Sequence, residues 1–305
     1  MRDWARHQNW TIFIWLLILV LLAVNLYVFQ IHVSKSSGLL EVTVLDVGQG
    51  DSILIKSPDG LYALIDGGRG TAVMSQLDQF MPFWSRKFSF LIATHPDADH
   101  IEGLISVLAD YQVDEVLWVK NKKTTEVTDE LAAEVTTKSI LNYELNADKD
   151  FRLGCCIDFD VVWPLPDFDS YNEKESNAAS LTVILRYGKL DMFLGGDLPA
   201  AEEDLVVASL PPELLQVDVL KVSHHGSKTS TSAKFLHLID TQLGLISVGK
   251  KNSYGHPAAE VLQNLQNEGV EVIRTDEEGA IQLKTDGEKL EVKTRNRLEY
   301  LDLKD

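Results

Sequence analysis

The sequence predicts a mixed α/β body preceded by an apolar N-terminal segment. Three observations carry this. Strand-length apolar runs alternate with helix-period runs from Leu39 to Thr294. Clusters of His, Asp, Ser and Gly follow directly after apolar runs, so the chemistry gathers at strand ends. The stretch from Thr11 to Val33 carries no charge and is dominated by Ile, Leu, Val, Phe and Trp.

That stretch comes first in the chain. A membrane-spanning helix needs about 20 apolar residues. Arg2 and Arg6 precede the run, which favours a cytoplasmic N-terminus. A cleaved signal peptide has a shorter apolar core and a small-residue cleavage site, and Leu26-Tyr27-Val28-Phe29-Gln30 offers none. The expectation is an uncleaved single-pass anchor in the cell membrane, with the Asn25 amide as a cost within it. Ser34 to Gly38 reads as a short polar linker. Residues 1–37 are then anchor and linker, and residues 38–305 form an extracytoplasmic body.

In the body, Leu39–Leu45, Ile53–Lys56 and Leu61–Ile65 read as strands, separated by Asp46-Val47-Gly48-Gln49-Gly50-Asp51-Ser52 and by a turn at Pro58-Asp59-Gly60. The third ends in Asp66-Gly67-Gly68, where glycine lets the backbone approach closely. Phe88–Ala93 is a strand and Ile101–Ala109 a helix. Val113–Val119 is a strand, and Thr128–Leu145 has a helical pattern. Asp158–Trp163 is a strand before a loop rich in Asp, Asn, Glu and Pro that runs to Ala179. Strands follow at Leu181–Tyr187, Leu190–Leu194, Val217–Val222, Leu243–Val248 and Val270–Thr275. Helices are expected at Glu202–Ala208, Ala233–Ile239 and Ala258–Asn267. A hairpin, Ala280–Lys284 and Lys289–Thr294, closes the body around a turn at Asp286-Gly287.

Composition narrows the function classes. Lys plus Arg number 28 and Asp plus Glu 46, a formal charge of −18. Such a body repels a nucleic-acid backbone at long range, so a nucleic-acid substrate needs a local basic lane or bound cations. The hydrophobic content of 45% excludes a wholly disordered chain. The only two cysteines, Cys155 and Cys156, are neighbours. Adjacent cysteines bridge poorly, so they are expected to pack in a strand or turn.

The densest chemistry is His95-Pro96-Asp97-Ala98-Asp99-His100, four metal-capable side chains within six residues. In extended backbone His95 and Asp97 share a side, while Asp99 and His100 approach from the start of a helix. Two adjacent cations can be held this way, which points to hydrolysis, often of a phosphoester. Asp197, after Gly195-Gly196 at a strand end, can bridge two cations. His224 and His225, after another strand, supply imidazole. At least one should reach the metals, and the other can serve the substrate. His256, in Tyr254-Gly255-His256-Pro257, is a candidate for substrate or metal contact.

The order Asp66-Gly67-Gly68, His95-x-Asp97-x-Asp99-His100, Gly196-Asp197, His224-His225-Gly226 resembles the metallo-β-lactamase superfamily. Four segments resemble, within it, the extracellular metallo-β-lactamase domain of ComEC-like DNA-uptake competence proteins. They are Leu45 to Ser52, Asn177-Ala178-Ala179-Ser180-Leu181, Val219 to Ser227, and Asn252-Ser253-Tyr254-Gly255-His256-Pro257. The resemblance covers residues ~39 to ~285 and implies an α/β (α+β) αββα sandwich with metals at one edge. It implies His95, Asp97 and Asp197 around one metal, and Asp99, His100, Asp197 and His224 or His225 around the other. Many superfamily members carry His where Asp97 stands, and a further His before the Asp197 motif. This sequence has none between His100 and His224. The oxygen-rich site suits manganese, with zinc and magnesium also admitted. ComEC-like proteins carry a multi-helix channel. The single apolar run here makes a separate channel protein the expected partner.

The expected function is therefore that of a membrane-anchored, metal-dependent phosphodiesterase or nuclease acting on DNA. Asp99 is the candidate to orient or deprotonate the water, with His225 or His256 assisting the leaving oxygen. Ser227, Lys228, Asn252 and His256 are expected phosphate contacts. Asp46, Asp51 and Asp66 are expected to brace the ligand loops. Two other readings fit the same residues: a small-substrate phosphodiesterase of the cell envelope, and a non-catalytic module of a DNA-uptake complex. β-Lactam hydrolysis fits poorly, because the first metal position lacks its histidines.

Overall fold

Period-two alternation along the strands decides how the body is layered. The computed structural model describes residues 2–34, 38–168 and 176–303, with side chains of the first stretch described at Trp10 and from Ile12 to Val28. The linker positions 35–37 and positions 169–175 of the acidic loop lie outside the described residues. So do the side chains of Arg2, Arg6 and the last part of the apolar run. The chain divides into two units, Met1–Gly38 and Leu39–Asp305.

The first unit is one helix, α1 (Arg2–Ser34). The side chains of Ile12 to Val28 are all exposed. Asn25 meets its amide cost locally, donating to the Leu21 carbonyl at 2.7 Å. Among the described residues, no helix is long and apolar enough to cross a membrane.

The second unit begins with β1 (Leu40–Val44), β2 (Ile53–Lys56), β3 (Tyr62–Ile65), α2 (Ala72–Phe80), β4 (Lys87–Ala93), α3 (Ala98–Asp110), β5 (Gln112–Val119), α4 (Glu126–Thr137) and β6 (Leu141–Leu145). A second run follows: β7 (Phe151–Leu153), β8 (Ile157–Trp163), β9 (Thr182–Tyr187), β10 (Leu190–Leu194), α5 (Ala200–Ser209), β11 (Val219–Lys221), α6 (Ala233–Ile239), β12 (Leu243–Ile246), α7 (Ala259–Asn267) and β13 (Glu271–Arg274). The short α8 (Thr275–Glu278) leads to β14 (Ile281–Thr285), β15 (Lys289–Lys293) and β16 (Leu298–Asp302). The first sheet has the order β16-β15-β14-β1-β2-β3-β4-β5-β6, the second β13-β12-β11-β10-β9-β8-β7.

Alternate residues of one strand enter different cores. Leu40, Val42 and Val44 of β1, Ile53 and Ile55 of β2, and Leu190, Met192 and Leu194 of β10 fill the space between the sheets. Leu54, Leu64 and Leu91 face outward to a second core that includes Leu77 of α2, Leu104 of α3 and Leu131 of α4. Phe193 and Leu220 face outward on the other sheet, toward Phe235 of α6 and Leu265 of α7. Three apolar layers between four structural layers make the αββα sandwich. Burial of each large side chain contributes on the order of 1.5–3 kcal/mol.

The helical pattern expected over Thr128–Leu145 is half right. Thr125 caps α4, its side chain accepting from the Thr128 amide in a capping box. The helix then ends at Thr137, and Ser139 adopts a positive φ of 54°. Leu141–Leu145 becomes a parallel edge strand, paired from Glu115↔Leu141 to Val119↔Leu145. An open sheet edge beside β5 outweighs a weak helical preference. The strands β7 and β16 are additions that no sequence pattern announced. Cys155 and Cys156, expected as unbridged packing residues, lie in the turn between β7 and β8 and are joined to each other.

Candidate metal centre

The C-terminal ends of β3, β4, β10, β11 and β12 converge on one edge of the sandwich. In the first sheet β3 and β4 run parallel, Ile65↔Ile92. In the second, β10, β11 and β12 are parallel, Leu194↔Lys221 and Lys221↔Leu245. Residues just past those ends therefore meet. The Thr94 carbonyl accepts from Leu181 at 2.9 Å and ties the two sheets together there.

Close backbone approach sets the first half of the site. Gly67 donates to the His100 carbonyl at 2.6 Å, and Gly103 donates to the Gly68 carbonyl at 2.9 Å. A Cβ at either Gly67 or Gly103 would strike the other loop's backbone. The missing side chains let the Asp66 loop lie directly on α3. Asp66 then reaches His100 Nδ1 with Oδ2 at 2.7 Å. It also accepts from the Thr94 amide at 2.9 Å and the Thr94 hydroxyl at 2.6 Å.

The second half comes from the other sheet. The Asp197 amide donates to Ser180 Oγ at 2.9 Å, and the His224 amide to the Gly196 carbonyl at 3.0 Å. His224 and His225 both take left-handed backbone, with φ of 51° and 56°. That conformation is costly for residues with a Cβ and clusters at functional sites. It turns His225 inward, where its Nδ1 meets the Ser247 carbonyl at 3.0 Å.

Four buried atoms now face one another. They are His95 Nε2, His100 Nε2, His225 Nε2 and Asp197 Oδ1, and none has a hydrogen-bond partner among the described residues. Asp197 Oδ2 lies 3.6 Å from His95 Nε2, and Asp197 Oδ1 lies 3.3 Å from His100 Nε2. His225 Nε2 lies 3.7 Å from Asp99 Oδ2 and 3.9 Å from Asp197 Oδ1. His95, His100 and Asp197 form one group with ligand atoms within 4.8 Å of one another, and Asp99, His100 and His225 form another. Buried polar atoms without partners are costly. Imidazole nitrogens held from behind by Nδ1 contacts, together with carboxylate oxygens, are the donor set of a divalent cation. The residues fit such an ion.

The centre is charged as well as dry. Burial and the neighbouring His100 push His95 down to about 4. Burial also opposes charge on His100, but Asp197 and Asp66 outweigh it and raise that ring well above its ordinary value. His225 rises to about 9 for the same reason, with Asp197 and Asp51 overcoming burial. Asp197 is held well below the carboxylate range by His100 and His225, again against burial. Behind His225, Asp51 Oδ1 stands 3.3 Å from Nδ1. The other Asp51 oxygen pairs with Lys221 Nζ at 2.6 Å.

Several sequence-predicted residues stand elsewhere. Asp97 belongs to neither group: its Oδ1 takes the Lys123 ammonium at 2.6 Å and the Ser176 hydroxyl at 2.6 Å. Asp97 is the N-cap position of α3, and the lysine and serine hold its carboxylate. His225, expected in catalysis or ligation, is only 1% exposed and belongs with the buried donors. His224 sits at the rim, its side chain 27% exposed, with Nε2 3.6 Å from Asp197. Asp46 Oδ1 accepts from the Gly48 amide at 3.4 Å, inside the loop that leads to Asp51, and Asp46 also lines a separate cavity with Gln76, Phe80 and Arg295. Ser227, expected at the substrate, is buried with its hydroxyl 2.9 Å from Thr229 Oγ1. Asn252, also expected there, lines a groove with Asp99, and its amide donates to Gly249 and His256 carbonyls at 2.9 and 2.8 Å, which uses both protons. Lys228 is exposed. His256 is half-buried, 5.7 Å from the His224 ring and stacked on Tyr254.

Sequence reasoning missed the residues that hold the donors. Thr94, Ser180 and Ser247 are small hydroxyl residues beside the motifs, with no distinguishing pattern. Lys221 did carry a signal, a lone cation inside the apolar run Val217–Val222. Lys123 and Ser176 had none.

A groove of about 460 Å³ opens beside Asp99, lined among others by Gln49, Arg69, Asp97, Lys123, Lys251 and Tyr254. Burial and the nearby His224 and His225 hold His256 below its ordinary pKa.

The fold and the donor set define the class: this is a protein of metallo-β-lactamase fold with a candidate metal centre. Its fold matches the metallo-β-lactamase fold protein YhfI from Bacillus subtilis, with a TM-score of 0.55 and 14% identity, over 81% of this chain and 99% of that one. In sequence the chain is similar to ComE operon protein 3 of Bacillus subtilis, 31% identical over 259 residues, covering 79% of this chain and 32% of that protein. It is also similar to Recombination protein 2 of Haemophilus influenzae, 28% identical over 284 residues, covering 90% of this chain and 32% of that protein. The chain spans about a third of the length of the curated relatives it matches. No family model matches it.

Proposed function

We propose that this chain is a ComEC-like, metal-dependent phosphodiesterase acting on DNA, held outside the cytoplasmic membrane by the uncharged run from Thr11 to Val33. One observation carries the hydrolase reading: four buried, partnerless donor atoms of His95, His100, His225 and Asp197 converge at a sheet edge beside an open groove. The sequence similarity to ComE operon protein 3 and Recombination protein 2 supports the DNA reading.

His95, His100 and Asp197 would hold one divalent ion, and Asp99 and His225 a second, manganese or zinc. Such ions, when bound, lower the pKa of water toward neutrality and neutralise charge developing on phosphorus. The chain's own residues do the rest. Asp99 is the one carboxylate of its group, has a 29% exposed side chain and lines the groove. It orients the attacking water and accepts its proton. Arg69, Lys123 and Lys251 form the local basic lane that an acidic body needs to hold a phosphate backbone. His256, neutral because its pKa is lowered, offers a ring N–H to the leaving oxygen.

The groove's modest volume and the charge of −18 favour one other reading, a small phosphodiester substrate. The purified protein, given manganese or zinc, is offered single-stranded DNA and bis-p-nitrophenyl phosphate. Turnover of both supports the DNA reading, and turnover of the small ester alone supports the second. Asp99→Ala and Asp197→Ala should abolish turnover in a folded protein. Full activity in either variant overturns the hydrolase reading. Absence of both metal and turnover would leave the role of a binding module in an uptake complex beside a channel protein.

A further inference from the structure

Tyr254 stands in the groove but outside the donor set. It is 65% exposed, and it lines the groove with Asp99, Arg69 and Lys251. Its ring lies nearly parallel to that of His256, with planes 11° apart and centroids 5.7 Å apart. The His256 ring stands 5.7 Å from the His224 ring. His224 Nε2 in turn is 3.6 Å from Asp197 Oδ2. A row of rings therefore runs from the open groove to the buried donors.

The loop that carries the ring is firmly built. Asn252 Nδ2 donates to the Gly249 and His256 carbonyls, and Asn252 Oδ1 accepts from the His256 amide at 3.0 Å. The Gly249 amide donates to Gln49 Oε1 at 3.2 Å. A Cβ at Gly249 would strike the Gln49 backbone, so the missing side chain lets this loop lie on the segment that leads to Asp51. A tyrosine on such a loop offers a large, flat contact with little side-chain freedom left to lose.

The charges of the groove select the occupant of that contact. Lys251 is exposed and the Arg69 side chain is 71% exposed, so the groove carries cations as well as the ring. A single strand of nucleic acid presents the matching pair of features, an anionic backbone and flat bases with open faces. An apolar peptide segment would leave the cations unmatched, and in a duplex each base face is covered by its neighbours. We propose that Tyr254 is a stacking platform for an unpaired base of a DNA strand whose phosphates lie along Arg69 and Lys251. The proposal rests on reading the groove as a DNA phosphodiesterase site, and it adds a preference for single-stranded over duplex DNA.

The full chain, given manganese, is offered a single-stranded oligonucleotide and the same sequence as a duplex. Parent, Tyr254→Ala and Tyr254→Trp are compared, with circular dichroism showing that all three are folded. Tyr254→Ala should raise KM for the single strand about 5–100-fold, the effect of losing one stacked base. Its kcat and its KM for the duplex should move much less, and Tyr254→Trp should restore the parent's KM. An iodouracil-substituted single strand, irradiated on the parent, should crosslink to the peptide that holds Tyr254, a readout that needs no turnover. An unchanged single-strand KM in Tyr254→Ala, or crosslinking only at other peptides, overturns the platform; DNA turnover by the parent then leaves the phosphodiesterase reading standing. A fall in kcat alone, in both variants, assigns Tyr254 to holding His256 and also overturns the platform. A parent that neither cleaves DNA nor crosslinks to it overturns the DNA reading and this inference together.

Discussion

Asp51 and Lys221 meet across the two sheets as an ion pair, 2.6 Å from oxygen to nitrogen and sealed from solvent. Asp51 follows β1 in the first sheet, and Lys221 ends β11 in the second. The other Asp51 oxygen turns to His225. The pair therefore pins the sheets at the level of the donors and fixes one of them from behind.

Removing one member of a buried pair leaves an uncompensated charge. Lys221→Met should destabilise the fold by ~3–5 kcal/mol. The double variant Lys221→Met/Asp51→Leu should recover part of that loss, because neither charge is stranded. Urea denaturation checks both. A single variant within about 0.5 kcal/mol of the parent, the range of an ordinary surface change, contradicts the pairing.

Asp66 fixes the tautomer of His100. Its Oδ2 takes the Nδ1 proton, so Nε2, 3.3 Å from Asp197 Oδ1, is the nitrogen left to bind a cation. With Asp66→Asn, an amide N–H can face Nδ1 instead and drive the proton to Nε2. Metal affinity should fall about 10–100-fold, the effect of losing such a support. Competition against a chromogenic chelator measures it, and unchanged affinity would remove Asp66 from this role.

Lys123 holds Asp97 away from the centre. Its ammonium and the Ser176 hydroxyl share one carboxylate oxygen. Lys123→Met should free Asp97 for a cation beside His95 and raise the metal content per chain. Elemental analysis of the purified variant gives the answer. A metal content equal to the parent's means that Lys123 does not compete with a cation for Asp97.

The histidines give the chelator-treated protein opposite pH responses. His225 titrates near 9 in the fold, above the ordinary value of about 6.5. Its contribution is complete below pH ~6.5 and is lost as pH rises through 9, on the order of 3 kcal/mol. His95 titrates near 4, so its neutral ring is a burden once the unfolded chain can take the proton. That component of stability is lost as pH falls from about 6.5 to 4. Urea midpoints measured from pH 4 to 10 should therefore peak near pH 6.5 without metal. A midpoint that climbs steadily from pH 6.5 to 9 contradicts the His225 assignment.

The motif residues were legible, but their division of labour was not. His95, Asp197 and the His224-His225 pair stand just past strand ends because apolar runs bring them there, and His100 lies in the first turn of α3. The bracing roles of Thr94 and Ser180 were not legible because a hydroxyl beside a motif looks like any turn residue. Asp97 seemed a ligand because alternation gives it the same side as His95. Its position at the start of α3 and a lysine from a later loop decide otherwise. The strand β6 was misread for a similar reason. Leu141-Asn142-Tyr143-Glu144-Leu145 is a weak local pattern, and pairing with β5 settles it.

By itself the sequence determined most of the strands and helices and the candidate metal donors, while the sandwich layering came from the family resemblance. Side-chain alternation and donor chemistry are local properties, readable over a handful of residues. Tertiary structure alone decided which donor faces which. Lys221 and Asp51 are 170 positions apart, and the Ser247 hydroxyl reaches the Gly50 carbonyl across 197. Such contacts depend on how two sheets pack and on loops held by glycine-thin approaches, and no local pattern records either.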